Sequence, residues 1–148
     1  MACDTNDFIY PLLADVYYPI VAQSAYGDVN KKWVLDKTIA CNFTLVGRKS
    51  QASVQPNVEL LIDDSLLGRT RCDLRKSADG TDHAITNILI TNIRDVQGNQ
   101  IYMETSGIRA GRTTLFEIGS NDPIVGPFGS TEYWRVLLRR SDNQGADV

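Results

Sequence analysis

A chain of 148 residues with 43% hydrophobic side chains is long enough for one domain with its own core. A domain of this size buries roughly 68–70% of its unfolded surface, so neither a metal nor a disulfide is needed as a staple. The net charge of −3 and pI of about 5.0 argue against binding bulk nucleic acid by overall charge, and leave room only for a local basic patch.

No apolar run approaches the ~20 residues of a membrane helix. The start, Met1-Ala2-Cys3-Asp4, lacks the basic-then-apolar pattern of a signal peptide, so an intracellular site of synthesis is expected.

Residues 1–13 read as an N-terminal arm. Asp4, Asn6 and Asp7 precede Phe8-Ile9-Tyr10-Pro11-Leu12-Leu13, a pattern for one helical turn or an extended arm. Such an aromatic-rich end docks on its own body or on a neighbouring subunit. Asp15 to Ala25 is aromatic and β-branched, and Pro19 makes it an edge strand or marks a bulge. Tyr26 to Lys32 is a turn, with Gly27 supplying permissive dihedrals. From Trp33 to Leu45 the chain alternates. Trp33, Leu35, Ile39, Cys41, Phe43 and Leu45 share one face, broken by Lys37, and Asp36, Thr38, Asn42 and Thr44 share the other. Period two over this length predicts a long strand with one wet face, paired in a hairpin with the segment before it.

Gly47 to Asn57 is loop-like, Val58 to Ile62 a short strand, and Asp63 to Gly68 a turn or single helical turn capped by Ser65 and the two aspartates. Arg69 to Asp82 then keeps Arg69, Arg71 and Arg75 on one parity, as in an exposed strand leading into a mobile loop at Ser77–Asp82. Residues 69–76 hold four cations against one Asp.

Ile85 to Arg94 is β-branched, Asp95 to Gln100 is rich in turn residues, and Ile101 to Thr105 is strand-like again, which predicts a hairpin. Ile85, Leu89 and Ile93 fall on one face and Ile88 and Ile90 on the other, as in a strand buried on both sides. Ser106 to Arg112 is a loop, Thr113 to Ile118 a strand, Gly119 to Thr131 an irregular connection and Glu132 to Arg140 the last strand. In that strand Trp134, Val136 and Leu138 oppose Arg135 and Arg139. A polar tail, 141–148, follows. The expected fold is all-β: one domain over 1–148, a small β-barrel or sandwich of six to eight antiparallel strands with long loops.

The chain shows little chemistry. Cys3, Cys41 and Cys72 are widely spaced without a CxxC, so free thiols are expected, Cys41 in the core. The sole histidine, His83, lies in a polar loop, and its neighbour Asp82 points away from it in an extended chain. Asp63-Asp64 lacks further acids at calcium-loop spacing. Gly107 to Arg112 is glycine-spaced and basic, closer to a turn than to a phosphate cradle. Neither enzyme activity nor a cofactor or metal is expected. The basic window of Arg69, Arg71, Arg75 and Lys76 is the leading candidate contact surface. Alone it reads as a solvated strand paired with acids; repeated around a ring it would meet a polyanion. Tyr10, Tyr17 and Tyr18 fill a core or form a subunit interface.

The runs Val29-Asn30-Lys31-Lys32-Trp33-Val34-Leu35-Asp36-Lys37-Thr38-Ile39, Ile85-Thr86-Asn87-Ile88 and Tyr102-Met103-Glu104-Thr105 resemble small tailed-phage neck proteins. So do Leu67-Gly68-Arg69, Gly126-Pro127-Phe128-Gly129 and Tyr133-Trp134-Arg135-Val136-Leu137-Leu138-Arg139-Arg140. More narrowly, the chain resembles virion proteins of T4-like cyanophage-type contractile-tailed phages, in the head-closure or stopper class. That class implies a small β-barrel subunit of a homo-oligomeric ring in the virion, joining the DNA-filled head to the tail. Its partners would be other neck, portal-adaptor or tail proteins, with transient contact to packaged double-stranded DNA and none to a membrane. The resemblance implies a long loop facing the lumen; Leu67–Asp82 is the segment expected there because it is basic, polar and glycine-containing, with Arg109 and Arg112 as an alternative lining. Tail-terminator, tail-tube or baseplate subunits are the nearest alternatives. A β-barrel ligand-binding module, or a single-strand nucleic-acid binder with exposed aromatics, is more distant.

Overall fold

The computed structural model describes residues 3, 7–23, 27, 29–45, 65–142, 144–146 and 148. The expected loop at Gly47–Asn57, strand at Val58–Ile62 and turn residues Asp63-Asp64 lie outside the described residues. Within them, seven antiparallel strands form one sheet: β1 (Leu12–Gln23), β2 (Val29–Cys41), β3 (Thr44–Leu45), β4 (Ser65–Thr70), β5 (Leu89–Arg94), β6 (Phe116–Val125) and β7 (Thr131–Arg140). The order is β2-β1-β5-β6-β7-β4-β3. Cys41 of β2 also pairs with Thr70 of β4, which brings the sheet back on itself as a ring of hydrogen-bonded strands. The all-β expectation holds, as one continuous sheet.

The β1–β2 hairpin follows from its composition, but a bulge re-aims half of it. Val16 pairs with Lys37 and Tyr17 with Leu35, so Asp36 is an extra residue on β2. Beyond the bulge Ile39, Cys41 and Phe43 enter the core beside Ala14, Val16 and Tyr18. Before it, Trp33 and Leu35 lie opposite Pro19 and Tyr17 on the outer surface, and Leu35 is 50% exposed. The apolar face expected over Trp33–Leu45 is therefore two half-faces. Lys37 lands on the core side, and its ammonium donates to the main-chain oxygens of Asp73 (3.3 Å) and Lys76. Pro19 sits where a strand edge allows it: β1 pairs with β5 only between Leu13 and Tyr17, and from Tyr18 onward, among the described residues, pairs with β2 alone.

The hairpin expected at Ile85–Thr105 is only partly formed. Ile85–Asn87 is a 3-10 turn, and the strand is Leu89–Arg94. Asp95 closes the turn by accepting the amides of Gln97 and Asn99, both at 2.9 Å. The returning chain makes an Arg94–Gln100 bridge and then leaves for residues 112–114, where Thr114 N–H donates to Tyr102 O at 3.1 Å. The Tyr102 side chain explains the departure. It is buried edge-on to Phe116, 5.9 Å between centroids, and its hydroxyl donates to Phe43 O at 3.0 Å.

The two-face reading of β5 is corrected by one residue. Asp15 pairs with Thr91 but Leu13 with Arg94, so β5 carries an extra residue, and Asn92 has φ of 55°. That left-handed bulge moves Ile93 onto the face of Ile88 and Ile90, and all three join the core. Asn is among the residues that tolerate this conformation best. Asn92→Ala is expected to unfold in urea about 1 kcal/mol more easily than Asn92→Gly, since both lose the side chain and only alanine resists φ > 0. Equal losses would put Asn92's role in its hydrogen bonds alone.

Residues 119–125, expected to be irregular, continue β6. Pro123 is accommodated opposite Trp134 because β5 reaches only to Phe116 and Glu117, leaving that edge of β6 without a neighbour among the described strands. Ser65–Thr70 is strand, not a capped turn, and pairs with β7 from Ser65↔Arg139 to Thr70↔Trp134.

Candidate functional site

The basic window is divided by the fold. Arg69 points outward from β4 and lies in register with Arg135 of β7, its guanidinium 4.7 Å from the centre of the Tyr133 ring. Arg71 is half-buried, ion-paired with Asp7 and stacked over Tyr10 at 4.4 Å. Arg75 is exposed, with Nε 3.5 Å from His83 O, and Lys76 pairs with Asp82 at 3.9 Å. Four cations within residues 69–76 thus serve three places. The window is not one projecting loop, because β4 ends at Thr70 and the segment after it folds back on the hairpin.

That fold-back is specified by several groups. Tyr18 is buried, and its hydroxyl donates to Leu74 O at 2.5 Å and Lys76 O at 3.2 Å. His83 stacks on the Tyr18 ring with centroids 4.1 Å apart. The bulge residue Asp36 accepts the Ala78 amide on both oxygens, at 3.2 and 3.0 Å. Ser77–Thr81 is tied by main-chain bonds and by Asp79, whose carboxyl is held down to about 2 by the Ser77 hydroxyl and then by Thr81. The expected mobile loop is an ordered turn, and His83 is a half-buried stacking partner of Tyr18, not a solvated residue.

Among the expected interface tyrosines, Tyr10 and Tyr18 are buried within their own chain. Tyr17 alone reaches the outer face. Trp33 and Trp134 are both partly buried, Trp134 against the core, which disfavours a stacking platform for single strands.

The arm is docked on the body. Cys3 O accepts the Ala40 amide at 2.6 Å, and Cys3 is disulfide-bonded to Cys72 with Cα atoms 5.8 Å apart. Free thiols were expected at both; the arm's path beside Ala40 and Arg71 brings residues 69 apart in sequence to bridging distance. Cys41 is the free, buried cysteine, its thiol pushed up to about 12 by burial. Asp7 closes a turn by accepting the Ile9 and Tyr10 amides at 2.9 Å. The Tyr10 amide, then the Ile9 amide and the Arg71 guanidinium, hold its carboxyl below the ordinary 3.8. A carboxyl lowered on folding stabilises above 3.8 and loses that contribution as pH falls through its folded value. Acid titration followed by NMR should therefore show Ile9, Tyr10 and the Arg71 guanidinium shifting together with Asp7 below pH 3.8; shifts that track another group would dismiss the coupling.

Two features were not legible in the sequence. Asp15, buried at the β1–β5 junction, accepts from Thr38 Oγ1 and Asn92 Nδ2 at 2.9 Å and pairs with Arg94 at 3.2 Å. Arg109 is 2% exposed, its Nε donating to Thr113 O at 2.8 Å, so it is no exposed lining cation. Residues 107–111 form the turn that was expected there, with Gly111 N–H bonded to Glu104 O at 2.8 Å.

Among the described residues no group of three or more His, Cys, Asp or Glu is placed to hold a metal ion, and no helix is long and apolar enough to cross a membrane. The surface instead offers apolar side chains at hairpin ends: Ile20 (57% exposed), Val34 (40%) and Leu35 on the β1–β2 arm, and Val125 and Phe128 on the β6–β7 tip. No family model matches the chain, and no curated protein does. The chain is similar to the solution structure of protein SF1141 from Shigella flexneri 2a at 14% identity, over 93% of this chain and 100% of that one, with a TM-score of 0.45, a likeness too weak to carry an argument.

Proposed function

We propose that this chain is a non-enzymatic structural subunit that assembles into a homo-oligomeric ring, as a head-closure or connector component in the neck of a contractile-tailed phage virion. The observation that carries this reading is the β1–β2 arm. Among the described residues β1 pairs only with β2 from Tyr18 to Gln23, and this overhang holds Ile20 and, across it, Val34, both substantially exposed. An open strand edge with apolar side chains is a template for another chain. The ordered, closed body behind it suits a part that transmits load between neighbouring proteins.

In this reading the contact with packaged DNA falls to Arg69 with its cross-strand neighbour Arg135, since Arg71 is committed to the arm. The axial partners are other neck, portal-adaptor or tail proteins. Mass photometry of the purified chain should give a ring-sized species. Ile20→Glu with Leu35→Glu should yield a monomer with a melting temperature near wild type, since exposed substitutions change stability by about 0.5 kcal/mol or less. Cryo-EM of virions should place the ring below the portal. A ring at another tier would instead make the chain a tail-terminator, tail-tube or baseplate subunit, and a wild-type monomer at tens of micromolar would end the assembly reading.

A further inference from the structure

We propose that Asp79–Gly80 is a modification site, where the chain converts to isoaspartate, and that Ser77 holds this conversion in check in the folded turn. The site does not depend on the assembly reading. Asp79–Gly80 is the one Asp-Gly pair in the sequence, which has no Asn-Gly. Glycine puts no side chain in the way of its own amide nitrogen and leaves the backbone free to adopt the dihedrals of a closing ring. Asp79 and Gly80 are both exposed, so water reaches the bond.

The reaction needs only water. Gly80 N attacks Cγ of Asp79, forms the N–Cγ bond and gives up its proton. The Cγ–OH bond of the protonated carboxyl breaks and water leaves, which yields a five-membered succinimide. Water then adds to one of the two ring carbonyls, and the C–N bond at that carbon breaks. Opening at Cγ restores aspartate. Opening at the main-chain carbon leaves isoaspartate, with the peptide link running through Cγ. One water leaves and one returns, so the composition of the chain is unchanged.

The folded turn opposes each requirement. A Lys76–Asp82 bridge closes it, and Ser77 N–H donates to Thr81 O at 2.9 Å. Gly80 N–H, the attacking group, is engaged with Ser77 O at 3.0 Å. Asp79 Oδ1 accepts the Thr81 amide at 3.0 Å and the Ser77 hydroxyl, which also lies 3.2 Å from Thr81 O. Turning Cγ onto Gly80 N takes the carboxyl away from both donors. The same donors favour the carboxylate, whereas the protonated form is the one that loses water. Ser77 therefore acts twice, through its hydroxyl on the carboxyl and through its main-chain oxygen on the amide. Isoaspartate adds a main-chain carbon one residue beyond Ala78, whose amide both oxygens of Asp36 accept, so conversion should loosen that contact.

The test incubates the full chain at pH 6 and 37 °C, native and in urea, and reads isoaspartate at residue 79 by peptide mapping and isoaspartyl methyltransferase labelling. The chain in urea should convert, and the native chain should convert about tenfold or more slowly, the combined effect of the turn's hydrogen bonds. Native Ser77→Ala should convert about threefold or more faster than native wild type, the effect of one such bond, with a melting temperature near wild type. Ser77→Thr keeps the hydroxyl and should stay slow. The converted chain should lose amide-exchange protection at Ala78. Absence of isoaspartate at residue 79 in urea would remove the site. A native chain that converts as fast as in urea, a Ser77→Ala variant as slow as wild type, or a Ser77→Thr variant as fast as Ser77→Ala would each remove the role of Ser77.

Discussion

Gly68→Ala should open the ring of strands and lower the melting temperature by about 10 °C. A Cβ at Gly68 would stand 2.6 Å from Phe43 Cδ1 and 2.8 Å from both Cα and N of Phe43. The last two are backbone atoms of a fully buried residue at the β2–β3 junction, so they cannot swing aside. β4 must retreat, and it carries Thr70, whose pairing with Cys41 closes the ring. Overpacking of this kind costs about 3 kcal/mol, which for a domain near 150 residues corresponds to roughly 10 °C. Amide exchange should accelerate at Leu66 and Thr70 before it does in the β1–β5 pair. Adding Phe43→Ala should give no rescue, because the backbone clash persists without the ring. A single variant melting within 2 °C of wild type would mean that the strands approach less closely than described.

Breaking the Cys3–Cys72 bridge should cost about as much. Its two ends are 69 residues apart. On the chain-entropy account, closing a loop of that length removes about 4 kcal/mol of unfolded-state freedom. Cys3→Ser with Cys72→Ser should therefore lower the urea midpoint markedly, with little change in the native near-ultraviolet spectrum. The arm keeps the Arg71–Asp7 ion pair, the Arg71–Tyr10 stacking and the Ala40 amide bond to Cys3 O, which hold its native path. Thiol counting gives an independent check. The oxidised native protein should label at none of its cysteines within minutes at pH 8, since Cys41 is buried with its thiol pushed up to about 12. Unfolded without reductant it should label at one, and after reduction at all three. Three reactive thiols in the unreduced, unfolded chain would remove the bridge.

Both results turn on contacts between segments remote in sequence, and so did the misread parts of the chain. The windows around Ile39–Phe43 and Trp134–Leu138 were legible because period-two alternation survives there, and their buried faces are the ones expected. Alternation was misleading wherever an extra residue entered a strand. Asp36 turned Trp33 and Leu35 outward, and Asn92 turned Ile93 inward, although nothing in the local spelling separates a bulge residue from a paired one. The basic window failed for a related reason. Spacing places Arg69, Arg71 and Arg75 on one parity, but β4 ends at Thr70, so the parity ends there too. Arg71 then meets Asp7, and Arg75 meets His83.

The order of residues was sufficient to make this chain an all-strand domain, because side-chain alternation and turn chemistry act over a few neighbours and need no distant partner. Which strands adjoin, where the ring closes, how Cys3 reaches Cys72 and why Arg109 lies buried beside Val148 were decided only by the folded whole. Each of those depends on strand register and on the burial of charges, and these are fixed when segments tens of residues apart compete for the same core.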